Sequence, residues 1–98
     1  MNERFIATLE QIVAQRLAEA DSDASYTARL AEQGAARIAQ KVGEEGVEVA
    51  LAMAVGDDKA LISESADLLY HLIVALEFRN IPLQAVYDEL AARHAPST

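Results

Sequence analysis

A chain of 98 residues allows one domain, and 16 acidic against 8 basic side chains give a formal charge of −8, which argues against nucleic acid or an anionic membrane as partner. There is no cysteine, so a disulfide framework and thiolate chemistry are excluded. Apolar residues make up 52% while aromatics reach only 5%, and glycine and proline are scarce, a composition for close-packed helices rather than for a sheet.

At the N-terminus, "MNERFIATLEQ" lacks a signal-peptide pattern. No apolar run in the chain approaches the ~18 residues of a membrane span, so a cytoplasmic protein is expected. Asn2 is placed to cap a first helix whose apolar stripe is Phe5, Leu9, Ile12, Val13 and Leu17, at the 3.6-residue period. "DSDAS", residues 21–25, ends it as a polar loop. Ser25 can cap a short helix through Tyr26 and Leu30 that stops near Gly34. A third helix is predicted from about Ala35 to Val55. Gly56 then closes it and an aspartate of the pair Asp57-Asp58 caps the next helix, which runs from about Lys59 to Arg79. Asn80 ends that helix, and Pro82 suits the first turn of a last one reaching about Arg93, with His94 in a frayed tail. The fold class is therefore all-α, a single domain over residues 1–98 with about five helices. Two of these helices are apolar on most faces and need more partners than one small chain offers. An antiparallel bundle completed by homodimerisation is expected.

The charge is not spread evenly. Glu45 and Glu48 lie three apart on one helix, and Glu64 and Asp67 lie three apart on the next, so each pair shares a helix face. The connection between the two helices is short, which makes them antiparallel neighbours. Counted from Asp57, Glu48 is nine residues back, Glu64 seven forward, Asp67 ten forward and Glu45 twelve back. If both pairs face the seam, four carboxylates converge. Acidic pairs at this spacing are ordinarily a solvated face; two in matching register, flanked by apolar runs, favour a metal site over that alternative, which stays open. Carboxylates so crowded repel and lose hydration, and an all-oxygen donor set suits Mg²⁺, or Mn²⁺, over zinc or copper. A di-iron site would want Glu-x-x-His, but the third residue after Glu64 is Asp67 and His71 lies seven away.

"KVGEEGVEV" at 41–49 followed by "ESADLLYHLIVAL" at 64–76 resembles the phosphoribosyl-ATP pyrophosphohydrolases of histidine biosynthesis, within the wider all-α, MazG-like nucleoside triphosphate pyrophosphohydrolases. The wider signature, Glu-Glu-x-x-Glu and then Glu-x-x-Asp, falls on Glu44, Glu45, Glu48, Glu64 and Asp67. The narrower resemblance is carried by "SYTARL" at 25–30, "GAARIAQKVGEE" at 34–45, "ADLLYH" at 66–71 and "VYDELAARH" at 86–94. It implies Mg²⁺-dependent hydrolysis of phosphoribosyl-ATP between its α and β phosphates by an all-α homodimer, with Glu45, Glu48, Glu64 and Asp67 as metal ligands. The sequence departs from the family pattern at Gly46, Ser65 and Ala31, none of them a presumed ligand.

Beside these ligands, Glu44 points ~100° away around the helix and either binds a second metal, orients the attacking water as base, or is a solvated glutamate. Lys41, one turn before Glu45, can reach a phosphate or pair with that carboxylate. Arg37, a turn earlier, is a surface charge that can assist. His71, four residues after Asp67, either hydrogen-bonds that ligand from behind or is a satisfied core histidine. Tyr26 and Arg29 can contact nucleotide or ribose, or serve the short helix structurally. Two other functions fit the same pattern: a MazG-like housecleaning pyrophosphatase with another nucleotide, and a non-catalytic helical dimer without metal dependence.

Overall fold

The computed structural model describes residues 5–96. Five helices follow one another: α1 (Phe5–Glu19), α2 (Tyr26–Gln33), α3 (Ala35–Val55), α4 (Asp58–Phe78) and α5 (Leu83–His94). No strand occurs among the described residues. The expected cap at Asn2 lies outside them.

Local chemistry sets most of the helix ends. The Ser25 hydroxyl accepts from the Ala28 amide at 3.1 Å and starts α2. Gly34, at φ 95°, ends α2 and begins α3, a backbone state that side-chain-bearing residues rarely adopt. Gly56, at φ 82°, closes α3 in the left-handed conformation. Asp57 then caps α4 by accepting from the Ala60 amide at 3.0 Å, so α4 starts at Asp58, one residue earlier than predicted. His94 lies within α5 as its last residue rather than in a tail, and its Nδ1–H donates to the Leu90 carbonyl at 2.8 Å.

The start of α5 is unusual. Pro82 occupies its cap position and has no side chain to satisfy the first amide. That work falls to α1, where the Glu10 carboxylate accepts from the Leu83 amide at 2.6 Å.

The core gathers where α1, α2, the beginning of α3 and the second half of α4 meet. Val13, Leu30, Ile73 and Val74 are fully buried there, with Ile38 and Leu83 beside them, each such side chain stabilising the fold by ~1.5–3 kcal/mol. The α3–α4 hairpin extends beyond this core as an antiparallel pair. Its far end carries Val47, Leu51, Met53, Val55 and Ile62 largely exposed.

Beside the base of α5, Glu77 faces Glu10. Loss of hydration, and then the Glu10 charge, push the Glu77 carboxyl above its ordinary range. A raised folded-state value means that the stability this group contributes is present at acid pH and is lost as pH rises through that value. Glu77→Gln is therefore expected to melt about 2 °C above the parent at pH 7 and level with it near pH 4, read by thermal scans across that range.

Candidate metal centre on the α3–α4 seam

The antiparallel register of α3 and α4 brings three carboxylates together. One oxygen each from Glu45, Glu64 and Asp67 lies within 4.8 Å of the other two. Glu48 stands on the turn side of this group and is the strongest charge acting on Glu64. With Glu64 it borders an open hollow of about 260 Å³ that runs toward Leu51 and Val55.

The crowding has an electrostatic signature. Loss of hydration, and then the charges of Glu48, Asp67 and Glu45, raise the Glu64 carboxyl above the usual carboxylate range. Only oxygen donors converge, and their mutual repulsion is what a hard divalent cation relieves. The residues present therefore fit Mg²⁺ or Mn²⁺.

Lys41 sits against the same carboxylates, its ammonium 3.4 Å from Glu45 and 3.5 Å from Glu44. Partial burial works to lower its pKa, but the Tyr26 phenol, Glu45 and Glu44 outweigh that, and the net shift is upward. Glu44 faces outward as its position on the helix predicts. It is exposed, accepts from the Gln40 amide at 2.9 Å, and is held below the ordinary carboxylate range by that bond first and then by Lys41. Arg37 donates from Nε to Gln33 at 3.2 Å, and its charge reaches Glu44 only as a weaker influence.

Behind the cluster, His71 is 6% exposed and both ring nitrogens are engaged. Its Nδ1 meets the backbone carbonyl of Asp67 at 2.7 Å, rather than the carboxylate, and its Nε2 meets the Tyr26 hydroxyl at 2.9 Å. The Tyr26 ring packs on Tyr70 with centroids 6.2 Å apart, His71 stands edge-on to both, and the Arg29 guanidinium lies 5.9 Å from the Tyr26 centroid. Tyr70, whose hydroxyl pairs with Thr27, is the residue that sequence reasoning missed. Its only signal was adjacency to His71 in "LLYH".

No helix among the described residues is long and apolar enough to cross a membrane. A sequence model described as phosphoribosyl-ATP pyrophosphohydrolase matches residues 6–94. The chain is 56% identical over 91 residues to the histidine biosynthesis bifunctional protein HisIE of Xylella fastidiosa (strain Temecula1), an alignment covering 93% of this chain and 44% of that protein. It is 53% identical over 90 residues to the protein of the same name from Photobacterium profundum (92% and 43% covered) and 55% identical over 90 residues to that of Vibrio cholerae (92% and 42% covered). The chain thus spans less than half the length of these curated relatives. With the match running from α1 to the end of α5, the chain belongs to the phosphoribosyl-ATP pyrophosphohydrolase family.

Proposed function

We propose that this chain hydrolyses phosphoribosyl-ATP between its α and β phosphates, releasing phosphoribosyl-AMP and pyrophosphate, as an early step of histidine biosynthesis in the cytoplasm. The observation that carries this reading is the convergence of Glu45, Glu64 and Asp67 within 4.8 Å, in a chain of that family. Glu45, Glu48, Glu64 and Asp67 hold Mg²⁺, with Mn²⁺ as a substitute. When bound, the ion offsets the phosphate charge and lowers the pKa of a water. An acidic chain needs such a correction to accept a polyphosphate at all.

The remaining roles follow from position. Lys41, beside the carboxylates, reaches a phosphate, and Arg37 adds charge from the preceding turn. Glu44, held ionised by Gln40 and Lys41, is available to take the proton of the attacking water. Tyr26 contributes to the substrate-binding wall, and His71 supports the metal-binding turn from behind.

A homodimer belongs to the same reading. Val55 is 80% exposed and Ile62 72% exposed at the hairpin end, continuous with Val47 and Leu51, and a solvated chain does not ordinarily leave such a patch uncovered. A second copy of the hairpin, packed on the first, completes an antiparallel bundle.

The direct test is pyrophosphate release from freshly made phosphoribosyl-ATP with Mg²⁺ and with chelator, beside ATP and dUTP. Release confined to phosphoribosyl-ATP and abolished by chelator is expected; turnover of ATP or dUTP instead would favour a MazG-like housecleaning enzyme. Independently of turnover, Mg²⁺ or Mn²⁺ at a hundred times its dissociation constant is expected to raise the melting temperature by roughly 10 °C. Calorimetric scans with and without chelator would check this, and no shift would remove the metal centre from the account.

A further inference from the structure

Phosphoribosyl-ATP has two anionic ends. In the proposed reaction the carboxylate cluster and Lys41 serve the triphosphate, which leaves the phosphate on the added ribose to be met elsewhere. The outer face of α2 offers what that end needs. Ser25, Thr27, Ala28 and Leu30 are buried against the fold, whereas Tyr26 and Arg29, three apart and so on one helix face, are exposed. The Arg29 guanidinium lies 5.9 Å from the Tyr26 centroid and donates from Nη1 to the Ser22 carbonyl at 3.0 Å. It pairs with no carboxylate among the described residues, in a chain with 16 acidic and 8 basic side chains. The contact with Ser22 fixes the guanidinium yet uses only one of its several N–H donors.

The Tyr26 hydroxyl adds a complementary group. The Asp67 carbonyl can only accept, so His71 Nδ1 carries the hydrogen at 2.7 Å. His71 Nε2 is then a bare lone pair, and the phenol donates to it across 2.9 Å. With its proton committed, the phenol oxygen is an acceptor alone toward any ligand, so it receives a sugar hydroxyl and not a phosphate oxygen. The same two bonds run from Tyr26 to the backbone of Asp67, which sets this face of α2 beside the turn of α4 that carries one of the clustered carboxylates. From this juxtaposition we infer that Tyr26 and Arg29 form the subsite for the phosphoribosyl group: Arg29 takes its phosphate, and the phenol oxygen accepts from a ribose hydroxyl. The inference rests on the nucleotide-hydrolysis reading for its substrate. The pair separates phosphoribosyl-ATP from ATP, which lacks the added sugar and its phosphate.

The experiment compares Arg29→Gln, Arg29→Lys and Tyr26→Phe with the parent in steady-state hydrolysis of phosphoribosyl-ATP, using ribose 5-phosphate and magnesium pyrophosphate as inhibitors. Arg29→Gln is expected to lower kcat/KM roughly tenfold, the weight of one charge-assisted hydrogen bond. Inhibition by ribose 5-phosphate should weaken by the same factor, while inhibition by magnesium pyrophosphate stays within about twofold of the parent. Arg29→Lys, which keeps the charge but not the planar fork, is expected to recover part of the loss. Tyr26→Phe should weaken ribose 5-phosphate and leave pyrophosphate untouched. A role for Arg29 confined to holding the loop before α2 would lower the melting temperature and shift both inhibitors together or neither; that result overturns the inference. So does a weakened pyrophosphate with ribose 5-phosphate unmoved, which would seat the triphosphate at Arg29 instead. If Arg29→Gln fails to fold, Tyr26→Phe still decides.

Should the parent turn over none of the nucleotides, the functional reading falls by itself, and the subsite is read from titration calorimetry with ribose 5-phosphate in chelator. A roughly tenfold weaker Kd in Arg29→Gln upholds it. An equal Kd, or no binding by the parent, overturns it.

Discussion

Glu64→Gln is expected to cut pyrophosphate release from phosphoribosyl-ATP by about three orders of magnitude while leaving the chain folded. Glu64 is the carboxylate on which the others press: Glu48, Asp67 and Glu45 all raise it, after the loss of hydration that is the first cause of its shift. Glutamine keeps its shape but removes a charge that a divalent cation would otherwise offset, so cation affinity falls with turnover. Stability without metal should move the opposite way. Because the folded chain favours the protonated form of Glu64, ionisation costs stability as pH rises through its raised value, and glutamine imitates the neutral state. The metal-free variant should therefore melt higher than the metal-free parent at pH 7, and lose most of the parent's gain on adding Mg²⁺. Steady-state kinetics with paired thermal scans check both signs. A variant that retains turnover, or that melts lower in chelator, would show that the four carboxylates are not a cation site.

Val55→Glu combined with Ile62→Glu is expected to separate the proposed homodimer into monomers. Neither side chain belongs to the core of the single chain, since both are largely exposed at the end of the hairpin. In the proposed dimer a second copy covers both. Removing two apolar side chains from an interface at ~1.5–3 kcal/mol each weakens association by about 10³-fold, before any repulsion between the added carboxylates. Sedimentation equilibrium would follow the loss, with circular dichroism to establish that helix content is kept. A parent chain that already sediments as a monomer at high micromolar concentration would defeat the dimer reading outright.

How much of this was legible in the sequence depended on distance along the chain. The helix ends at Ser25, Gly34, Gly56 and Asp57 could be read because a cap is a bargain among neighbours, settled within three or four residues. The meeting of Glu45, Glu64 and Asp67 could be read for a related reason. A short turn fixes two helices as antiparallel, and counting from the turn then fixes which residues stand level. Asp67's position next to His71 was visible as well, but not what the histidine would hold. Tyr26 reaches His71 across 45 residues and Thr27 reaches Tyr70 across 43. Both contacts depend on the angle at which α2 lies on α4, which side-chain packing sets and no spacing encodes. The family resemblance marked "SYT" and "LLYH" as notable without saying that they meet.

The Glu10 contact with the Leu83 amide is the longest-range of these, 73 residues apart, and it bears on the order in which the chain becomes complete. A helix that borrows its first hydrogen-bond acceptor from 73 residues away cannot secure that end until α1 and α5 have met. During synthesis α1 emerges before α5 and must hold its glutamate ready while the hairpin forms. The last helix is then sealed by the first. In the finished protein the same dependence runs in reverse: when α1 loosens, α5 loses its start with it, and the two are expected to open as one unit in hydrogen exchange while the hairpin between them stays shut.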